Sequence, residues 1–191
     1  MSKLRLFIAL PLPDSVKELL KQQQEALHRM VPFRSVRWSN PQTLHLTLLF
    51  LGYVEEKNLR LIRQSLDFGC RQHHSFSLKT AEPSAFPSLQ RPSILYTAIA
   101  GDTPSLTALV VSIAEQLVGL YEPDKRRFKP HLTLGKVMKS DTIERVTEAL
   151  MSIPPFYPAS WNVDEVVLYT STLSPEGAQH EALHRVPLSQ V

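Results

Sequence analysis

The 191-residue chain holds a single cysteine, Cys70. That excludes an intrachain disulfide framework and suits a reducing, cytoplasmic compartment. No run reaches the roughly 18 apolar residues of a membrane-spanning helix, so no membrane partner is expected. The opening Met1-Ser-Lys-Leu-Arg-Leu-Phe enters a strand-like run at once, without the regions of a secretory signal. Several chemistries lack their motifs. There is no Gly-x-Gly-x-x-Gly, no His-Glu-x-x-His and no cysteine cluster, and Gly135-Lys136 lacks the preceding glycines of a Walker loop. His73 and His74 are adjacent, so on a strand they point apart. No metal, no cofactor and no nucleoside-triphosphate chemistry is therefore expected. A net charge of +3 permits an anionic partner without requiring one.

What is present occurs twice. The first half carries Pro41-Gln-Thr-Leu-His45-Leu-Thr47-Leu48, and the second carries Phe128-Lys-Pro-His131-Leu-Thr133-Leu134. With the two-residue period of a strand, His45 and Thr47 face one side while Leu46 and Leu48 face the other. His131 and Thr133 stand in the same relation to Leu132 and Leu134. One His-x-Thr on a strand is commonplace; two in matched surroundings ask for a function.

The surroundings do match. Leu4–Leu10 reads as a buried strand ended by Pro11 and Pro13, and Ser15-Val-Lys-Glu18 as a capping box opening a helix to about Arg29. After the first His strand come a helix over 55–66 and a strand over 75–79. The stretch from Glu82 to Pro92 reads as an irregular loop, either a binding loop or a long excursion. The pattern then restarts: a strand over 93–100, and a helix capped by Thr103 with Pro104. The basic turn Lys125-Arg126-Arg127 with Lys129, the second His strand, and a helix over 141–151 boxed by Asp141 and Glu144 follow. A strand over 163–169 leads to a Pro175/Gly177 turn and a short strand at 186–188. This predicts a single domain, 1–191, of α+β class. Its two approximate lobes, 1–80 and 93–191, would be related by a pseudo-two-fold axis, with antiparallel sheets around a central cleft, helices outside, and strands free to cross. Such an axis would set His45 and His131 face to face.

Two opposed imidazoles suit in-line displacement at phosphorus. One ring takes a proton from water while the other gives one to the leaving oxygen, and the Thr47 and Thr133 hydroxyls donate to the non-bridging oxygens. From spacing alone either histidine could be the acid. Phe50 has the wrong parity for the histidine face and reads as core. Lys136 likewise falls opposite His131 unless the strand bends, which leaves it a peripheral substrate contact. Arg91, Arg127 and Phe128 are the other candidate substrate contacts, the arginines for phosphates and the ring for stacking on a base. Cys70 has no motif around it and reads as an inert thiol.

These motifs, with Arg5-Leu-Phe-Ile-Ala-Leu-Pro, Phe50-Leu51-Gly52, Arg127-Phe-Lys-Pro and Leu168-Tyr169-Thr-Ser171, resemble the two-histidine (2H) phosphoesterase superfamily. Within it the chain is similar to the RNA 2′,3′-cyclic phosphodiesterases, historically called 2′-5′ RNA ligases. The resemblance implies metal-independent opening of a terminal cyclic phosphate to a 2′-phosphate, with weak reverse ligation. His131 would be the general base, His45 the general acid, and Thr47 and Thr133 the phosphate holders. Lys136 stands where many members have arginine, which keeps the charge but gives up bidentate geometry. The implied partner is an RNA with a 2′,3′-cyclic phosphate end, tRNA fragments included, and a monomer suffices. Two rival readings remain at this point. One is a 2H enzyme acting on small nucleotide or ADP-ribose cyclic phosphates; the other is a non-catalytic nucleotide- or RNA-binding module.

Overall fold

Five consecutive buried residues, Leu6–Leu10, make the first strand, β1 (Lys3–Pro11), one that must be covered on both faces. It lies inside a four-stranded antiparallel sheet, between β3 (His45–Glu55) and β8 (Glu165–Ser174), with β9 (Gly177–Pro187) beyond β8. A second antiparallel sheet runs in the order β2 (Val36–Trp38), β6 (His131–Val137), β5 (Arg91–Gly101), β4 (Phe76–Ser88) and β7 (Ser160–Val163). The computed structural model describes residues 2–123, 127–174 and 177–190. The α+β class is as expected, and strands do cross between the halves. The late hairpin β8–β9 completes the sheet of β1 and β3, while β2 and β4 join the sheet of β5 and β6.

The helices cover the outer faces. Helix α1 (Asp14–Met30) buries Val16, Leu20 and Leu27, and α2 (Leu59–Cys70) buries Ile62 and Leu66. Helix α3 (Thr103–Gln116) buries Leu106, Leu109, Val110 and Ile113, and packs on α2, while α4 (Ile143–Ser152) packs beside α1 and on β5. Their starts differ from the expected caps. Helix α1 begins at Asp14 behind Pro13, whose fixed φ is already compatible with the entry, so the Ser15–Glu18 box does not form. Asp102, one residue before Thr103, caps α3 by accepting from the Ser105 backbone N–H at 3.0 Å. Before α4 a 3-10 turn, Ser140–Thr142, takes the place of the Asp141–Glu144 box.

Three stretches differ from the sequence expectation. Residues 82–92 form the end of the β4–β5 hairpin, paired from Pro83↔Thr97 to Ser88↔Arg91. The prolines that suggested a loop fall around two register irregularities, where a missing N–H costs the ladder little. The tail is an 11-residue strand, β9, instead of a turn and a short 186–188 strand; Pro175 lies outside the described residues. The 163–169 strand is two strands in different sheets, β7 and β8, parted at Asp164.

Buried polar groups tie α1 to the second sheet. The Gln24 side-chain amide donates to the carbonyls of Leu134 (2.7 Å) and Ser39 (2.8 Å), and Gln23 accepts from the Thr97 hydroxyl at 2.6 Å. Next to Leu134, Gly135 admits β2: an added Cβ would stand 2.7 Å from Val36 Cγ1 and 3.0 Å from the Arg37 carbonyl oxygen. Gln24→Met keeps the volume but removes the side-chain donor from both carbonyls, leaving the Leu134 oxygen only the Ser39 N–H at 2.9 Å among the described residues. It is expected to lower stability by about 1–3 kcal/mol, read as a lower urea midpoint with an unchanged slope.

Candidate active site

Both histidine strands carry a bulge at the fourth residue of the motif. On β3, Ile8 pairs with Leu49 and Ala9 with Thr47, leaving Leu48 as the extra residue. On β6, Leu95 pairs with Gly135 and Tyr96 with Thr133, leaving Leu134 as the extra residue. A bulge shifts the parity of everything beyond it. Phe50 therefore joins the His45–Thr47 face. It is 52% exposed and lies 5.8 Å from the Phe7 ring, which corrects its reading as core. Lys136 likewise pairs with Ile94, two residues from Tyr96, and so lies on the Thr133 face, exposed. The bend that the sequence reading left open is there. In the second copy Gln24 satisfies the carbonyl of the extra residue.

The two imidazoles are pinned alike. His45 Nδ1 lies 2.9 Å from the Thr43 carbonyl oxygen, and His131 Nδ1 lies 2.7 Å from that of Lys129, in each case two residues earlier. A carbonyl only accepts, so both Nδ1 atoms carry hydrogen. The local sequence sets this up. A 3-10 turn, Pro41–Thr43, capped by Asn40, delivers the Thr43 carbonyl, and Pro130 fixes the approach to His131.

The walls are aromatic. His45 stacks on Phe7 at 4.7 Å, with Tyr169 on the same side, 5.2 Å from Phe7. His180 meets His45 edge-on at 5.1 Å and Phe7 at 4.9 Å. In a flat sheet β9 would stand three strand spacings from β3, roughly 14 Å, so this contact reports a strongly curled sheet. Around His131, Phe86 and Tyr96 stack on each other at 4.3 Å and turn their rings toward the imidazole at 4.9 and 5.5 Å. The Lys129 ammonium lies over both, 4.9 Å from Phe86 and 5.3 Å from Tyr96. Burial pushes the His45 pKa down to about 4; the bond to Thr43 opposes this in part and His180 adds to it. Burial, and next the Arg5 charge, hold His180 below the ordinary histidine range too.

His45, Thr47, His131 and Thr133 are all half-buried, and their strands approach each other where the two sheets meet. Arg91 is exposed at the β4–β5 turn and Arg127 is exposed ahead of β6. Phe128 packs against the core, the alternative to base stacking. Lys125 and Arg126 lie outside the described residues. Sequence reasoning assigned no role to Arg5, Phe7, Tyr169, Ser171, Phe86, Tyr96 or His180. Arg5, Phe7, Tyr169 and Ser171 sat in plain view within the stretches that carried the family resemblance. Cys70 is buried and its thiol is pushed up to about 12 by that burial, as befits an inert thiol. Among the described residues, no three His, Cys, Asp or Glu side chains are grouped to hold a metal.

The depressed His45 pKa has a consequence for folding. Between about 4 and 6.5 the unfolded chain binds a proton that folded His45 does not, so stability is lost as pH falls through that window. The loss is at most about 3 kcal/mol. His180 contributes with the same sign. His45→Gln should flatten the pH dependence of the urea midpoint over this range; an unchanged slope would contradict a buried, neutral His45.

The chain is 26% identical over 180 residues to the RNA 2′,3′-cyclic phosphodiesterase of Methanocaldococcus jannaschii, covering 94% of this chain and 98% of that protein. It is 29% identical over 180 residues to the protein of the same name from Archaeoglobus fulgidus, covering 94% and 98%. The crystal structure of Escherichia coli LigT complexed with 3′-AMP shares the fold at a TM-score of 0.79 and 23% identity, covering 99% and 100%. Residues 24–173 match the model of the 2′-5′ RNA ligase superfamily. On that match, which spans both histidine strands, the chain belongs to the 2′-5′ RNA ligase superfamily.

Proposed function

We propose that the protein is a hydrolase that opens a terminal RNA 2′,3′-cyclic phosphate to a 2′-phosphate, using two histidines and no metal. The observation that carries this reading is that His45 and His131 are pinned alike, each through Nδ1 to the carbonyl two residues earlier, on two strands that meet. The names of the curated relatives support the substrate class.

In this reading the phosphoryl group lies between the rings. His131 Nε2 takes a proton from water, the water oxygen forms a bond to phosphorus, and the P–O3′ bond opposite it breaks. His45 Nε2 protonates O3′ as it leaves. Thr47 and Thr133 donate to the non-bridging oxygens and stabilise the charge that builds there. Lys129 adds a positive charge beside His131. Lys136, Arg127 and Arg91 serve the flanking RNA, and Phe128 shapes the approach to His131 from the core. The site is complete within one chain, so a monomer suffices.

The acid role places a demand on His45. With a pKa near 4 it is neutral at pH 7 in the free protein and has no proton to give. An anionic phosphate held against it restores the charged form, so substrate loads the acid. Binding of adenosine 2′-monophosphate at pH 7 should therefore take up a substantial fraction of a proton. Titration calorimetry in buffers of different ionisation enthalpy reads this, and His45→Gln should abolish it. A binding heat independent of buffer would assign the acid elsewhere.

The direct test is a short RNA ending in a 2′,3′-cyclic phosphate, incubated with EDTA, with the 2′- and 3′-phosphate products resolved. The 2′-phosphate is expected, with His45→Ala and His131→Ala each slower by about 10²- to 10⁴-fold. No opening by the wild type, a 3′-phosphate product, or full activity in either variant would refute the reading.

A further inference from the structure

We propose that Arg5, Ser171 and His180 form a subsite beside His45 that holds a phosphate oxygen, with His180 acting as a neutral Nε2–H donor. The proposal rests on the two-histidine reading above and adds a third histidine, from the last strand, to the substrate contacts.

Three observations lead to it. First, the subsite is assembled across strands. Arg5 on β1 donates through Nη1 to Ser171 Oγ on β8 at 3.0 Å, and Ser171 pairs with His180 on β9. Their face is that of Phe7, which carries the His45 ring at 4.7 Å and the His180 ring at 4.9 Å.

Second, the positive charge here is uncompensated. Arg5 is half-buried, its guanidinium lies 5.6 Å from the Phe50 ring, and among the described residues its hydrogen-bond partner is a hydroxyl, with no carboxylate paired to it. A guanidinium and two imidazoles gathered without an acid repel one another whenever the rings charge. An anion among them turns each of those interactions favourable.

Third, the His180 ring has one usable orientation of its proton. Its Nδ1 is buried with no hydrogen-bond partner among the described residues. A buried N–H without an acceptor is costlier than a buried lone pair, so the proton sits on Nε2 and the ring stays neutral. His45 has the opposite tautomer, hydrogen on Nδ1 and a lone pair on Nε2. Side by side at 5.1 Å, the two rings offer one acceptor and one donor. Once a bound phosphate has loaded His45 with its proton, both Nε2 atoms donate, His45 to the leaving oxygen and His180 to a neighbouring oxygen.

The test is binding, independent of turnover. Adenosine 2′-monophosphate and the dinucleotide ApA bearing a terminal 2′-phosphate are titrated against wild type, His180→Phe, His180→Gln and His180→Asn, with thermal melts alongside. Phe keeps the ring and removes the donor; Gln restores a donor near the Nε2 position; Asn puts one near Nδ1. His180→Phe and His180→Asn are expected to weaken binding about tenfold and His180→Gln to stay within about threefold of wild type. If His180→Phe does not fold, the Gln–Asn difference decides. Equal weakening of both ligands assigns the oxygen to the terminal phosphate; weakening of the dinucleotide alone assigns it to the upstream phosphodiester. Unchanged binding of both ligands in His180→Phe, or equal loss in His180→Gln and His180→Asn, overturns the subsite. Wild-type binding without cyclic phosphate hydrolysis would refute the two-histidine reading and leave the subsite standing.

Discussion

Two backbone carbonyls set the orientation of both motif histidines, and the proposed chemistry depends on them. The Thr43 and Lys129 oxygens accept from Nδ1 of His45 and His131 and thereby fix the tautomer of each ring. Imidazole tautomers in water exchange freely, and a hydrogen bond to a fixed acceptor is the cheapest way to choose one. Placing the acceptor two residues back on the same chain makes the choice local. It survives wherever the strand is placed, so the motif could be used twice, once in each sheet.

The fold's task is then to bring the two strands together and keep their polar faces clear of the core. Each strand buries its leucines, Leu46 and Leu48 or Leu132 and Leu134, in the core. Just past the threonine each strand bulges, which turns Phe50 and Lys136 toward the functional face. A bulge leaves backbone groups without ladder partners, and on β6 Gln24 of α1 takes up that role. The helix that covers the outer face thus also supports the inner one. Curling of the first sheet completes the arrangement by carrying His180 from the far edge strand to His45.

The paired strands were legible because a half-buried strand writes its period into the sequence, and a polar residue on alternate positions stands out against leucine. The helices were legible for the same reason at their own period. Bulges were not, since register depends on the neighbouring strand and leaves no trace in composition; that is why Phe50 was assigned to the core and Lys136 to the far face. Strand β9 was hidden by its own polarity. Gln179, His180, Glu181, His184 and Arg185 give no apolar alternation, and its pairing comes from β8. The end of the β4–β5 hairpin was hidden by prolines at irregular positions. His180 and the Phe86–Tyr96 pair became visible as parts of the site only when the strands were laid side by side.

The central claim is that both histidines act on one phosphoryl group. The measurement that tests it most directly is nitrogen-15 NMR of the imidazoles during a titration with adenosine 2′-monophosphate. Both free rings should show the Nδ1–H tautomer at neutral pH. The Nε2 signals of His45 and His131 should then move together, with one dissociation constant and saturation at one equivalent. An Nε2–H tautomer in either free ring, or a response from only one of them, would contradict the account.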